Sequence, residues 1–526
     1  MDLLNVVKLV LFVGGVALVA LDIYQVRRKL RHGISAAVLT ILAIAFILFN
    51  FYLWINHIRF PLILDQTEGV IWQHFQRAAS FQAIYPQPTP EFVPLAYNPL
   101  YYMLAVPFSW VFGVNLFTLR LVAIIGMAGS GLILYLVVSK ETGSYWWGLM
   151  AVGLFAAGYN VMDAYLDSAH ADSWMLFSAL LGSYLIYRNF SRKQNLLGVV
   201  LLVLAFWFKQ HGALFAIGGL LYLTWREGLK GSLIYWITAI LLGPLAYIFV
   251  GPSIFGPYFH YFTWTIPRNW SEVHFRTFRR YLEFIARNYL VLSFPGGLWV
   301  LWRGIRERKR LNIWQFQFIL ALLTGLMGSL DPGSSNNVYI PMGMWFIMCG
   351  TIALHEGVER IPALMRYRID HLALYITLTC FIYNPFLMII PAQALDRYDE
   401  LISILRSLDG PVYAPQLGQL QQDFKFYPAA SSIALDDMIR GPGRDSRNNP
   451  NTRLLTEPAS HPSGPAYILV DDPLNKWEIV AFLGDYYTLD KDFSDRFKPL
   501  RSLPKRWGET TWPRYLYRYT GVKTVP

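Results

Sequence analysis

Apolar runs recur along the first 391 residues, near 3–22, 35–57, 116–138, 144–160, 173–188, 195–208, 211–225, 232–251, 284–302, 312–330, 337–353 and 370–391. A helix needs roughly 17–25 such residues to cross a bilayer, so the pattern predicts about twelve transmembrane helices. The first run, Leu3–Leu21, carries Arg27, Arg28, Lys29 and Arg31 after it and no small-residue cleavage site. It therefore reads as a retained helix rather than a signal peptide. Within the long polar interval 58–115, Val70, Ile71, Phe75 and Ala78 recur at helical spacing, which predicts a helix lying on the membrane surface. Residues 98–113 are apolar but aromatic-rich and interrupted by Pro107, and read as interfacial rather than spanning.

After Pro391 the pattern becomes that of a soluble unit, 392–526. The runs 410–415 and 465–472 are strand-like and bounded by turn residues, while 432–440 and 477–483 read as helices. A small α/β or α+β domain is expected, with a loop over 441–464, which is rich in Gly, Pro, Asn, Ser and Arg. The organisation predicted is a membrane domain over 1–391 followed by this domain.

Composition agrees with the pattern: 55% of the residues are hydrophobic, 15% are charged, and the mean hydropathy is +0.35, outside the range of ordinary soluble domains. The net charge of +11 changes the picture only once it is located. From Ala392 onward 17 Lys and Arg balance 17 Asp and Glu, so the whole excess lies in the membrane part. It concentrates in the short loops 27–31, 188–193, 226–230, 303–310 and 360–368. Crossing at each apolar run puts all five on one side, the cytoplasmic side by the positive-inside rule. Nucleic acid drops out as a partner, and the C-terminal domain is expected to be extracytoplasmic. Cys349 and Cys380 both lie inside apolar runs, which suits buried hydrophobes rather than a disulfide or metal site.

The same crossing pattern gathers the acids of the membrane part on the outer face. Asp65 and Glu68 follow the second apolar run, and Asp163, Asp167 and Asp172 flank His170 in 161–172. Charged groups at a bilayer boundary mark functional sites by default. Asp65-x-x-Glu68 also fits a capping box. Asp167 and Asp172 with His170 suit a divalent cation such as Mg or Mn, at a spacing diagnostic of none. Lys209, with Gln210 and His211, sits at the outer end of a hairpin, where it either snorkels or anchors an anionic headgroup. Asn336 and Tyr339 re-enter the membrane before Pro341.

The ordered set Asp65-Gln-Thr-Glu-Gly, Tyr85-Pro, Tyr97-Asn-Pro-Leu-Tyr-Tyr, Arg120, Asp167-Ser-Ala-His-Ala-Asp-Ser, Phe208-Lys-Gln and Asn336–Pro341 resembles the GT-C glycosyltransferases. The likeness is to family 39, which groups with protein O-mannosyltransferases and the aminoarabinose transferase of lipid A. It covers roughly residues 35–390. His170 stands where relatives often have Arg, and Asn98 has no Lys or Arg beside it, so the phosphate partner proposed for some relatives is missing there.

The resemblance implies an all-α polytopic GT-C domain that moves a sugar from a polyprenyl-phosphate donor to a lipid, glycan or protein acceptor at the outer face of the cell membrane, with inversion. Asp65 is the expected base, with Glu68, Asp167 and Asp172 as further catalytic carboxylates. Tyr97, Asn98, His170, Lys209, Gln210, His211, Asn336 and Tyr339 are expected to bind substrate. The competing expectation is a transporter or a lipid-linked sugar flippase. Transporters hold such groups near the bilayer midplane and often carry repeats, whereas here the charges cluster at one face and no repeat is visible.

Overall fold

A computed structural model of the chain describes residues 3–27, 33–271, 273–439, 457–460, 463–476, 480–505 and 510–521. A helix occupies each of the apolar windows. α1 (Leu3–Arg27) and α2 (Ile34–Ile58) lead into the first long interval, which holds α3 (Gln66–Ala79) and α4 (Leu100–Phe112). There follow α5 (Leu116–Thr142), α6 (Tyr145–Ala157), α7 (Asp172–Arg188), α8 (Arg192–Phe208) and α9 (Ala213–Ile240). Gly228 breaks α9 with φ 73° and ψ 170°, a backbone that glycine adopts without strain. The break falls between Arg226 and Lys230, where a basic turn between two spans is predicted.

The short helices α10 (Gly251–Phe255) and α11 (Ile266–Trp270) precede α12 (Phe275–Asn288) and α13 (Leu290–Arg306). The window 284–302 does not form one straight span, because the chain bends by 101° between α12 and α13. α14 (Ile313–Ser329), α15 (Ile340–Arg360), α16 (Pro362–Arg366) and α17 (Ile369–Phe381) complete the membrane part. Among the described residues five helical stretches are long and apolar enough to cross a membrane alone, or six if α12 and α13 count as one span. The remaining windows hold helices of 13 to 17 residues, some 20–26 Å long at about 1.5 Å per residue, shorter than the roughly 30 Å hydrocarbon layer. The chain is a multi-pass membrane protein.

α15 is the axis of the bundle: every residue from Ile340 to Leu354 is buried, the mark of a helix surrounded by protein. The outer helices turn Ile41, Leu132 and Phe249 outward, as a lipid-facing surface requires. α7 and α8 run antiparallel in close contact, and a Cβ added at Gly198 would sit 2.7 Å from the Gly182 carbonyl. Small residues facing each other in this way let helix backbones approach. The approach brings the first residue of α7, Asp172, beside Lys209, the residue that ends α8.

α18 (Ala394–Arg406) and α19 (Ser432–Ile439) accompany a four-stranded mixed sheet of β1 (Val412–Tyr413), β2 (Tyr467–Val470), β3 (Tyr487–Asp492) and β4 (Tyr515–Tyr519) in the order β1-β2-β4-β3. β1 runs parallel to β2, and the other pairs are antiparallel. The helix expected over 477–483 is a 3-10 turn at Ala481–Asp485, and 477–479 lie outside the described residues, as does most of the 441–464 loop. This unit packs onto the first long interval. Ala430 N–H donates to the Pro90 carbonyl at 2.7 Å, and Leu503 N–H to the Leu64 carbonyl at 3.0 Å. Gln419 lies so close to α3 that a Cβ on Gly69 would meet its Oε1 at 3.0 Å.

Asp471 follows β2 and accepts from Gln416 Nε2 at 2.7 Å. Burial, with Asp472 adding to it, pushes its carboxyl up to about 6. A carboxyl raised above its unfolded value of 3.8 contributes stability fully below that value and loses it as pH rises through about 6. Asp471→Asn is therefore expected to be more stable than wild type at pH 7–8 by up to about 3 kcal/mol, with the difference shrinking toward pH 4. Thermal unfolding in detergent across pH 4–8 checks this; a pH-independent difference contradicts it.

Candidate active site

Asp65 is the N-cap of α3. Its Oδ1 accepts from the Thr67 backbone N–H at 2.8 Å and from the Thr67 hydroxyl, which satisfies an N–H that the first helical turn leaves without a partner. Its Oδ2 is buried and has no hydrogen-bond partner among the described residues. Glu68, three positions on, does not close the capping box on Asp65. Its Oε2 accepts from Leu64 N at 2.7 Å and Arg120 Nη2 at 2.6 Å, and its Oε1 from Arg120 Nε at 3.0 Å and Ala169 N at 2.8 Å. Four donors around a fully buried carboxylate leave it no capacity for chemistry, so Glu68 is a strut and not the second catalytic acid expected from sequence.

Arg120, the other half of the strut, donates also to the backbone carbonyls of His57 at 2.9 Å, Phe60 at 2.5 Å and Leu62 at 2.6 Å. The turn that leads out of α2 and into α3 is thus fastened to α5. Asp167 belongs to a second buried strut: Tyr159 donates to its Oδ1 at 2.7 Å, and His57 Nδ1 lies 2.7 Å from its Oδ2. His57 Nε2 meets the Met388 carbonyl at 2.6 Å. A carbonyl only accepts, so Nε2 carries the hydrogen of that bond.

Asp172 is spent on a third set. Both its oxygens lie 2.8 Å from Lys209 Nζ, Asn337 Nδ2 donates to Oδ2 at 2.9 Å, and His170 Nδ1 is 2.5 Å from Oδ2. The last is a close contact without hydrogen-bond alignment. Asp167 and Asp172 therefore face different partners. Among the described residues no group of three or more His, Cys, Asp or Glu is placed to hold a metal ion. The Mg or Mn site expected on these two residues does not fit the donor set.

These struts frame a cavity of about 630 Å³ between the membrane helices and the C-terminal unit. Asp65, Tyr97, His170, Lys209, Gln210 and His211 all line it, so six of the twelve expected site residues come together. Asp172 lies behind Lys209 and His170, and Glu68 and Asp167 lie deeper. Asn98 is buried and donates to the Phe206 carbonyl at 2.6 Å, which holds the loop to α8. Gln210 reaches the cavity, yet its amide N–H groups go to the Ala96 and Thr263 carbonyls at 2.9 and 3.0 Å. Asn336 is bound to Asp163 and Val161, and Tyr339 stacks on Phe284 with ring centroids 4.0 Å apart. Neither lines the cavity, although Asn337 and Val338 of the same turn do.

Most of the wall lies outside the expected site residues, including Asp331, Asp436 and Asp437 as well as Tyr165 and Lys505. Tyr165 is in contact with His170, ring centroids 5.3 Å apart, and Lys505 from the C-terminal unit has Nζ 3.7 Å from the Tyr165 ring centre. His170 in turn is 5.1 Å from Tyr97, whose ring lies 5.0 Å from Lys209 Nζ. Bases and aromatic rings thus alternate along one wall: Lys505, Tyr165, His170, Tyr97, Lys209. Asp163 and Ala164, before Tyr165, both have positive φ, 51° and 56°, a conformation L-residues adopt rarely and retain where surrounding contacts enforce it. Asn336 on the Asp163 carboxylate and Lys505 on the Asp163 carbonyl, at 2.7 Å, are those contacts. No sequence signal marks Lys505, one basic residue in a charge-balanced domain.

No family model and no curated protein matches the chain. Among solved structures it is similar to ArnT from Cupriavidus metallidurans in the apo state, with a TM-score of 0.51 and 13% identity over 90% of this chain and 97% of that one. ArnT bound to undecaprenyl phosphate matches with a TM-score of 0.48 at 13% identity and the same coverage. An Archaeoglobus fulgidus oligosaccharyltransferase, in complex with Zn and sulfate, matches at 0.47 and 12% over 83% of this chain and 68% of that one. The likeness to apo ArnT is one of fold alone.

Proposed function

We propose that the chain is a membrane glycosyltransferase that moves a sugar from a polyprenyl-phosphate carrier to an acceptor hydroxyl, with inversion, in the cavity between residues 1–391 and an extracytoplasmic domain over 392–526. The observation that carries this reading is the free, buried Oδ2 of Asp65 in the same cavity as Lys209 and His170. Inverting transfer needs a base on the acceptor side and positive charge on the leaving-phosphate side. Asp65 Oδ2 takes the hydroxyl proton as the acceptor oxygen bonds to the anomeric carbon. The bond from that carbon to the phosphate oxygen breaks, and its electron pair leaves with the phosphate. Lys209 has one N–H beyond the two facing Asp172, and His170 Nε2 is buried without a partner among the described residues; both suit that leaving oxygen. The position of the cavity at one end of the bundle, where a lipid-borne donor can reach it, supports this reading over transport.

The test supplies purified protein in detergent or liposomes with polyprenyl-phosphate sugars and candidate acceptors. Release of polyprenyl phosphate together with an inverted glycoside is the expected result, and it is expected to persist with a chelator because the donor set around Asp167 and Asp172 does not suit a cation. Movement of lipid across vesicles with no release of polyprenyl phosphate overturns the proposal in favour of a flippase.

A further inference from the structure

We infer that Lys505, delivered by the C-terminal unit, is a further anion-binding cation of the cavity and holds the phosphate of the polyprenyl carrier together with Lys209 and His170, so that the site is incomplete without that unit. The inference rests on the glycosyltransferase reading for the identity of the lipid, and its ground is the different pairing of the two lysines in a wall that also holds Asp65, Asp331, Asp436 and Asp437. Lys209 has a counter-ion: both oxygens of Asp172 lie 2.8 Å from its Nζ. Lys505 has none in direct contact. Its Nζ donates to the Asp163 carbonyl at 2.7 Å and approaches that of Ala164 at 3.5 Å, and it sits over the Tyr165 ring. Carbonyl dipoles and a ring face solvate an ammonium only in part. Among the described residues no carboxylate is in direct contact with this ammonium, although Asp65, Asp163, Asp167 and Glu68 favour its charge from farther off, and a buried cation without a direct partner leaves a place for an anion.

The placement of Lys505 is built rather than incidental. The Leu503 N–H is bonded to the Leu64 carbonyl, one residue before Asp65, and Ser502 and Lys505 both line the cavity. Lys505 is joined through the Tyr165 ring to His170, whose Nε2 has no partner among the described residues. A phosphate at Lys505 meets an ammonium bound to carbonyls and a ring face, whereas at Lys209 it competes with Asp172 for the same ammonium. Burial lowers the affinity of Lys505 for its proton, a cost that a bound phosphate relieves.

The experiment measures binding of polyprenyl phosphate alone, and separately of inorganic phosphate, to full-length wild type, Lys505→Met, Lys505→Arg and Lys209→Met in detergent. A charge-assisted contact implies about ten- to hundredfold weaker carrier binding for Lys505→Met. A loss within about threefold is expected for Lys505→Arg, and a smaller loss for Lys209→Met than for Lys505→Met. Thermal unfolding without ligand identifies any variant that has simply lost its fold, and Lys505→Arg, which keeps the charge, is the control on packing. Equal binding of both probes by wild type and folded Lys505→Met overturns the inference. Inorganic phosphate bound through Lys505 while the carrier gains nothing over it supports the anion site and overturns the lipid-donor reading. Phosphate binding that depends on Lys505 together with carrier binding that does not reassigns the phosphate to the acceptor, and overturns the assignment to the carrier.

Discussion

Replacing Asp65 by Asn is expected to lower transfer about 10²- to 10⁴-fold, the span that a positioned general base supplies, while leaving the protein folded and able to bind carrier lipid. The expectation depends on the two oxygens of Asp65 having separate tasks. Oδ1 caps α3 through Thr67, and Oδ2 faces the cavity without a partner among the described residues. Asn is as good an N-cap as Asp, so its carbonyl oxygen preserves the first task. The amide that replaces Oδ2 is isosteric and cannot take a proton, so only the second task is lost. Asp65→Ala is expected to lose activity to the same extent and to lose about 1 kcal/mol of stability as well, because the cap goes with the carboxylate. Comparing the two by single-turnover transfer and thermal unfolding separates chemistry from capping. If Asp65→Asn keeps more than a tenth of wild-type transfer, another group is the base and Asp65 is only a cap.

The sequence carries the outline of this site because the relevant signals are local. Apolar runs locate the helices, and the acids at 65, 163, 167 and 172 stand out because charge at a membrane boundary is costly. Lys209 and His170 are legible for the same reason, and both line the cavity. What the sequence withholds is the partner of each group. Glu68 and Asp65 look alike three residues apart, and only the presence of Arg120, 52 positions along the chain, makes one of them a closed strut. Asp167 and Asp172 resemble a metal pair until His57 and Lys209 claim them separately. Lys505 is invisible for the opposite reason: in a soluble, charge-balanced unit a lysine carries no signal, and its role arises from docking of that unit onto Leu64 and Asp163. The sheet shows the same limit. β1 and β2 are bounded by turn residues, while β4 pairs with both β2 and β3, a register set by packing and not by local pattern. The bend between α12 and α13 falls at Arg287-Asn288-Tyr289, a short polar interruption too brief to divide the predicted window.

The largest effect on the protein itself is expected from Arg120→Leu, which should cost about 3–5 kcal/mol and, in a protein whose whole stability is of order 5–15 kcal/mol, leave little folded material. All five guanidinium N–H groups are used, two on Glu68 and three on the carbonyls of His57, Phe60 and Leu62. Leucine removes these donors together and leaves the Glu68 carboxylate buried with only the Leu64 and Ala169 N–H groups. Breaking one side of a buried pair is worse than removing both, because the surviving charge has no solvent to turn to. The double variant Arg120→Met, Glu68→Met is therefore expected to be more stable than Arg120→Leu, despite carrying one more change in the core. Glu68→Gln distinguishes the strut from the catalytic role that its spacing beside Asp65 suggested. As a strut it should lower the yield of folded protein while the folded fraction keeps transfer within severalfold of wild type. Size-exclusion profiles, thermal unfolding and transfer per folded molecule give the three readings. A stable Glu68→Gln protein without transfer would return Glu68 to the chemistry. A double variant as unstable as the sum of its single changes would mean that Arg120 matters for the backbone carbonyls of residues 57–62 and not for the ion pair.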